Sequence, residues 1–185
     1  HDAFRVGEDG PTHQPVEQEA EIRLLEKMKN LSGRRSMTVL RPADANETTV
    51  AWMTALQTTD RPVALILSRQ NIPDVPVMGS TDRFTAAQQA QKGAYVVFGD
   101  HDHPDLILLA NGSEVSTCKE AALVLEKEHG LSVRVVSAPS EGVFMDQQKE
   151  YRDSVIIPGT PVFGLTAGLP VSLSGLGGPF CKIAG

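Results

Sequence analysis

MTVLRPADANETTVAWMTALQTTDRPVALILS, residues 37–68, carries the pattern that decides the fold. Met37-Thr38-Val39-Leu40 is a short continuous apolar run, the pattern of a strand buried on both faces. Pro42 ends it, since proline has no N–H for the ladder. Asp44, with Glu47 three residues on, predicts a helix start, Asp replacing the more typical Ser or Thr. Val50, Met53 and Leu56 then share one apolar face of a helix ending near Thr59. Pro62 to Ser68 reads as the next buried strand. Strand, helix and strand at this spacing make a parallel crossover unit, expected to be right-handed. Ligands of such sheets sit beyond the carboxyl ends of the strands. Arg41 and Ser68-Arg69 stand at those ends, and a guanidinium can hold a phosphate through two parallel hydrogen bonds. The competing reading of Arg69 is a surface salt bridge.

Upstream, Val16 to Asn30 predicts a helix. Pro15 suits its first turn, and Glu17, Glu19 and Glu21 place negative charge near its N-terminal end. Ile22, Leu25 and Met28, with Leu24 beside them, form the face expected to be buried. Residues 1–15 are different in kind: His1, Asp2, Arg5, Glu8, Asp9 and His13 are crowded among Gly7, Gly10, Pro11 and Pro15, with no apolar period. A polar loop beside a well-patterned helix is a common way to present chemistry. His1 and His13 can exchange protons near neutral pH, and Asp9 can orient an imidazole or accept from a hydroxyl. A solvated surface loop is the plainer alternative. Zinc binding by His1, Asp2, Asp9 and His13 is another.

Downstream, Asn71 to Thr85 is rich in Pro, Gly, Asp and Ser and reads as a connection. Ala86 to Lys92 predicts a turn of helix and Gly93 to Phe98 a strand. His101-Asp102-His103 is read as a solvated turn, because three neighbours before Pro104 cannot readily face one ion. A second α/β unit opens at Asp105: Leu106 to Ala110 as a buried strand, Ser113 as the N-cap of a helix from Glu114 to His129, Gly130 as its stop, and Ser132 to Ser137 as the returning strand. The tail from Pro158, rich in glycine and proline, shows no helical run.

Length and composition set bounds. A chain of 185 residues suffices for one domain or two small ones, and 41% hydrophobic residues can supply a core. A formal charge of −6, with acids interspersed among bases, argues against a nucleic-acid partner, and no apolar run is long enough to span a membrane. Cys118 and Cys181 are too few for a disulfide framework and fit a reducing compartment. A first residue of His, not Met, suggests a processed product or a piece of something longer.

His1-Asp2 with Gly7-Glu8-Asp9-Gly10-Pro11-Thr12-His13-Gln14-Pro15 resembles the active-site signature of transketolases. Arg41-Pro42-Ala43-Asp44-Ala45-Asn46-Glu47 and Leu67-Ser68-Arg69-Gln70-Asn71 resemble two further signatures of that family, in the same order. Asn111 to Val115, Val135 to Ser140 and Tyr151 to Val155 are similar to its C-terminal domain, whereas Glu141-Gly142-Val143 departs from the family wording. The resemblance runs from His1 to about Pro158, with Gly164 to Pro170 still family-like, and the closing strand and helix of that domain are expected to be missing.

The resemblance implies an α/β fold of two consecutive parallel-sheet units. These are an incomplete thiamine diphosphate pyrimidine-binding domain over 1–78, a linker over 79–104 and a truncated C-terminal-like domain over 105–185. It implies transfer of a two-carbon ketol unit from a ketose phosphate to an aldose phosphate, in the pentose phosphate pathway, by a cytoplasmic homodimer using thiamine diphosphate and Mg2+ or Ca2+. By resemblance, His1 and Arg69 hold the substrate phosphate, Asp9 reads the hydroxyl beside the ketone, and His13 assists proton movement at the reacting carbonyl. The Gly-Asp-Gly motif that binds diphosphate and metal in the family is absent, as is the glutamate preceding the His-Asp pair, so no metal ligand is assigned. The isolated chain is therefore expected to be inactive. Two alternatives stay open: a non-catalytic fragment or split subunit that pairs with a separate diphosphate-binding chain, and another thiamine-dependent enzyme such as a deoxyxylulose-phosphate synthase.

Overall fold

A computed structural model describes residues 1–6, 10, 13–76, 82–99 and 101–185. The first unit contains α1 (Glu17–Lys27), β1 (Thr38–Leu40), α2 (Ala45–Gln57) and β2 (Val63–Leu65). β1 and β2 pair in parallel, Val39 opposite Ala64, which is the crossover expected from residues 37–68. β1 is fully buried, as its apolar run requires, but β2 is only half-buried.

The second unit follows α3 (Arg83–Ala87) and a 3₁₀ turn (Gln88–Lys92). It comprises β3 (Tyr95–Phe98), β4 (Leu106–Ala110), α4 (Glu114–His129), β5 (Val133–Ser137), α5 (Glu141–Met145), α6 (Lys149–Val155), β6 (Val162–Leu165) and β7 (Cys181–Ala184). Its five strands run in the order β3-β5-β4-β6-β7, all parallel except β3 against β5. The stretch 79–104 thus carries more than a connection: β3 is a strand of the second sheet, which begins before Asp105. The glycine-rich tail also contributes, since β6 and β7 extend the sheet beyond β4.

Strand alternation feeds two cores. Leu108 and Ala110 of β4 pack with Val115, Cys118, Ala122 and Val135 on one side, joined there by Ala43 and Val50 of the first unit. Ile107 and Leu109 face the other side, with Val136, Phe144, Val155 and Leu173. Because the first of these cores includes residues from both units, the units share buried apolar surface.

Both helices of the first unit turn unexpected faces inward. In α1 the buried residues are Glu19, Arg23 and Glu26, while Leu24, Leu25 and Met28 are 62%, 43% and 52% exposed. Most of this buried charge is paired and hydrogen-bonded, although both Arg23 Nη atoms are buried without a hydrogen-bond partner. Arg23 Nε donates to Glu19 at 3.1 Å, and Glu26 accepts from the backbone N–H of Val39 at 3.1 Å, the Ser140 hydroxyl at 3.1 Å and the Gly142 N–H at 3.2 Å. In α2 the buried stripe is Glu47, Val50 and Ala51, so Val50 is buried as expected but Met53 and Leu56 face outward. No helix among the described residues is long and apolar enough to cross a membrane.

Candidate active site

The opening loop is stitched to the carboxyl end of β2. Asp2, buried to 2% exposure, donates its backbone N–H to the Leu67 carbonyl at 2.9 Å. Its Oδ1 accepts from the Phe4 N–H at 3.2 Å, and its Oδ2 accepts from the Ser68 hydroxyl at 2.7 Å and from Arg41 Nη2 at 2.8 Å. Gln70 adds a second stitch, donating from Nε2 to the Arg5 carbonyl at 3.1 Å. His1 is exposed, with Nδ1 at 2.7 Å from the Asp2 carbonyl. A carbonyl only accepts, so Nδ1 carries the proton and Nε2 is left for a ligand. His1 is thereby brought to the strand end that carries Ser68 and the exposed Arg69.

His13 is exposed and belongs to the same loop. Its backbone N–H donates to the Gly10 carbonyl at 3.2 Å, and Gln14 Nε2 donates to the carbonyl of the buried Val6 at 3.2 Å. Asp9 lies outside the described residues. A cavity of about 260 Å³, lined by Pro42, Asp44, Thr48, Leu67, Ser68 and Gln70 among others, opens beyond the ends of β1 and β2 beside the start of α2. This is the position in which open α/β sheets receive ligands.

Arg41 has a different task from the anion binding its strand-end position suggested. It is completely buried. Besides Asp2, its guanidinium donates to Glu114 Oε2 at 2.7 Å, to the Asn111 carbonyl at 3.0 Å, and to the hydroxyls of Thr166 and Ser113, both at 3.3 Å. Glu19 Oε2 stands 3.8 Å from its Nε. Burial works against the charge, but the carboxylates of Glu114, Glu19 and Asp2 outweigh it and raise the guanidinium pKa above its ordinary value. The same hub explains why Ser113, which stands at the N-cap position of α4 as expected, makes no side-chain capping bond. It lies in helical conformation, and its hydroxyl donates to Glu114 Oε1 at 2.7 Å instead. Gly112 has φ +58°, and a Cβ there would sit 2.6 Å from Arg41 Cζ, so the guanidinium occupies space that only glycine leaves open.

A second buried cluster joins the units. The helix start predicted at Asp44 and Glu47 is present: Asp44 Oδ1 accepts from the Glu47 N–H at 2.8 Å, and Glu47 Oε2 accepts from the Ala43 N–H at 2.8 Å. Glu47 Oε1 also accepts from the Tyr95 hydroxyl at 2.7 Å and the Ser137 hydroxyl at 2.8 Å, while Arg83 Nε donates to Asp44 Oδ2 at 2.6 Å. Burial pushes the Glu47 carboxyl up, and the Tyr95 hydroxyl and Arg83 only partly offset it.

Glu141, where the wording departs from the family, is the poorly matched acid. It is 4% exposed, its Oε2 has no hydrogen-bond partner, and Lys27 Nζ stands 3.4 Å from Oε1. Burial raises its pKa, against the opposing pull of Lys27 and Arg23. A raised folded-state pKa contributes stability that is present below the unfolded value, about 4.3, and is lost as pH rises through the folded one. Glu141→Gln removes that loss. Urea midpoints of the variant and the native chain should therefore diverge in favour of the variant as pH rises above the ordinary glutamate range. A difference that does not grow with pH would show that the acid is not penalised.

Among the described residues no three His, Cys, Asp or Glu side chains stand together as a set able to hold a metal ion. With no Gly-Asp-Gly segment in the sequence either, the described residues do not fit a metal–diphosphate group.

Residues 1–75 match the family described as the transketolase pyrimidine-binding domain, and residues 93–182 match the transketolase-like C-terminal domain. The chain belongs to the transketolase family. A transketolase of Staphylococcus aureus (strain MW2) is 48% identical over 158 residues, 84% of this chain and 22% of that protein. The structure of a transketolase from Leishmania mexicana superposes with a TM-score of 0.79 at 38% identity, covering 96% of this chain and 24% of that one. A Pichia stipitis transketolase in complex with sedoheptulose 7-phosphate gives 0.72 at 39% identity, over 89% and 22% of the two chains. This transketolase-family chain thus spans about a fifth of the length of the Staphylococcus aureus relative, and the two matched ranges hold the first sheet and nearly all of the second.

Proposed function

We propose that this chain is the sugar-phosphate-holding part of a transketolase. The complete enzyme moves a two-carbon ketol unit from a ketose phosphate to an aldose phosphate in the pentose phosphate pathway. His1 and Arg69 grip the substrate phosphate, Asp9 reads the hydroxyl beside the ketone, and His13 moves a proton at the reacting carbonyl. The observation that supports this reading is the stitch through Asp2, which ties the residue next to His1 to Leu67 and Ser68, just ahead of Arg69 in the chain. Cationic donors gathered on a dianion give charge-assisted bonds, and a positioned imidazole contributes roughly 10²–10⁴-fold as an acid–base group.

The thiamine diphosphate and its Mg2+ or Ca2+ are assigned to a separate part of the enzyme, since the residues here do not fit them. The isolated chain accordingly shows no ketol transfer. The outward apolar faces of α1 and α2 support association with a diphosphate-binding domain, in the same polypeptide or another, within a homodimer. Trp52 and Leu56, 52% and 79% exposed, join Leu24, Leu25 and Met28 as surface suited to burial. Buried, unpaired Cys118 suits the reducing cytoplasm.

The test is Arg69→Ala in the complete enzyme. KM for fructose 6-phosphate should rise by about tenfold to a hundredfold, the loss of one or two charge-assisted bonds at roughly 1.4 kcal/mol per decade. Turnover of unphosphorylated fructose should not change. Equal effects on both sugars would remove Arg69 from the phosphate.

A further inference from the structure

The hydrogen bonds around Asp2 describe more than a loop anchor. Its carboxylate receives Ser68, the immediate neighbour of Arg69, while its backbone carbonyl holds the ring of His1. Behind it, Arg41 ties the same carboxylate to Asn111, Ser113, Glu114 and Thr166 of the second unit. No atom of Asp2 is left over for a substrate at 2% exposure, and Arg41 is sealed entirely. Asp2, which cannot reach a ligand, thus bonds the immediate neighbour of Arg69 with its side chain and the ring of His1 with its backbone.

We propose that Asp2, clamped between Arg41 and Ser68, is a positioning residue that holds His1 and Arg69 at the spacing of one substrate phosphate, with the second unit serving as the brace. This rests on the reading of His1 and Arg69 as phosphate contacts. The logic is that of preorganisation: an anion site is effective when its donors are fixed before the ligand arrives, so loosening the support weakens binding without touching the reacting centre. Asp2→Asn keeps the shape of the side chain and removes its charge, leaving Arg41 to Glu114 and Glu19. Ser68→Ala removes a single donor to Asp2 and carries little risk to folding.

In the complete enzyme, Asp2→Asn should raise KM for fructose 6-phosphate about tenfold, with kcat within about twofold, and Ser68→Ala should raise KM about threefold. A merely structural role would lower the amount of active enzyme and move kcat instead, and that result overturns the proposal. Nitrogen-15 NMR of the histidine ring in the 185-residue chain provides a reading independent of activity. The native ring should show the Nδ1–H tautomer, and both variants a mixture. A ring unaffected by either substitution overturns the positioning role whatever the kinetics. A ring that changes while KM does not upholds the clamp and removes His1 from the substrate phosphate, which separates failure of this inference from failure of the functional reading. Should Asp2→Asn fail to fold, Ser68→Ala decides both measurements alone.

Discussion

Arg41→Met will cost about 3–5 kcal/mol of folding stability, the usual penalty for removing one partner of a buried ionic cluster. The guanidinium is fully buried and touches two carboxylates within 2.8 Å, those of Asp2 and Glu114. Methionine restores the apolar volume but leaves Asp2, Glu19 and Glu114 as a group of buried like charges, and it strips the donors from the Asn111 carbonyl and the Thr166 hydroxyl. Since whole domains are stable by only about 5–15 kcal/mol, the variant should lose a large share of its stability. Urea unfolding followed by circular dichroism measures the loss. A midpoint within experimental error of the native one would mean the network is worth no more than a surface pair.

Gly93→Ala should be comparably damaging, for a steric reason. Gly93 lies at φ +88°, where an L side chain is strained, and a Cβ there would stand 2.2 Å from the Phe144 nitrogen and 2.6 Å from the Ser140 carbonyl oxygen. Both are backbone atoms, so no side chain can swing aside. The Gly93 carbonyl also accepts from the Ser140 N–H at 3.0 Å, which docks the start of α5 against the lead into β3. Backbone strain of about 1–2 kcal/mol and overpacking of about 1–3 kcal/mol add to a loss of roughly 2–5 kcal/mol. The same urea measurement checks it, and a neutral alanine would show that α5 is free to shift.

The elements were legible where local pattern is sufficient. The run Met37 to Leu40 and the box at Asp44 and Glu47 foretold β1, the start of α2 and the parallel pairing with β2, because burial on both faces and an orphan helix N-terminus each leave a residue signature. Gly130 ends α4 in left-handed conformation, as a glycine after a helical run should. Facing was not legible. Periodicity reports that Leu24, Leu25 and Met28 lie on one side of α1, not which side meets this chain's own core. Nor could it reveal Arg41 as a hub, since its partners Asp2 and Glu114 are 39 and 73 residues away in sequence. At the candidate site, the resemblance supplied His1, His13 and Arg69, while the supports beneath them, Asp2 and Ser68, emerge only from the three-dimensional hydrogen bonds.

The outward grease of α1 also bears on handling the protein. Replacing Leu24, Leu25 and Met28 with lysines is the natural remedy for a sticky preparation, and it would leave Glu19, Arg23 and Glu26 undisturbed. On the association proposed above, that remedy would yield a well-behaved chain whose seam had been erased.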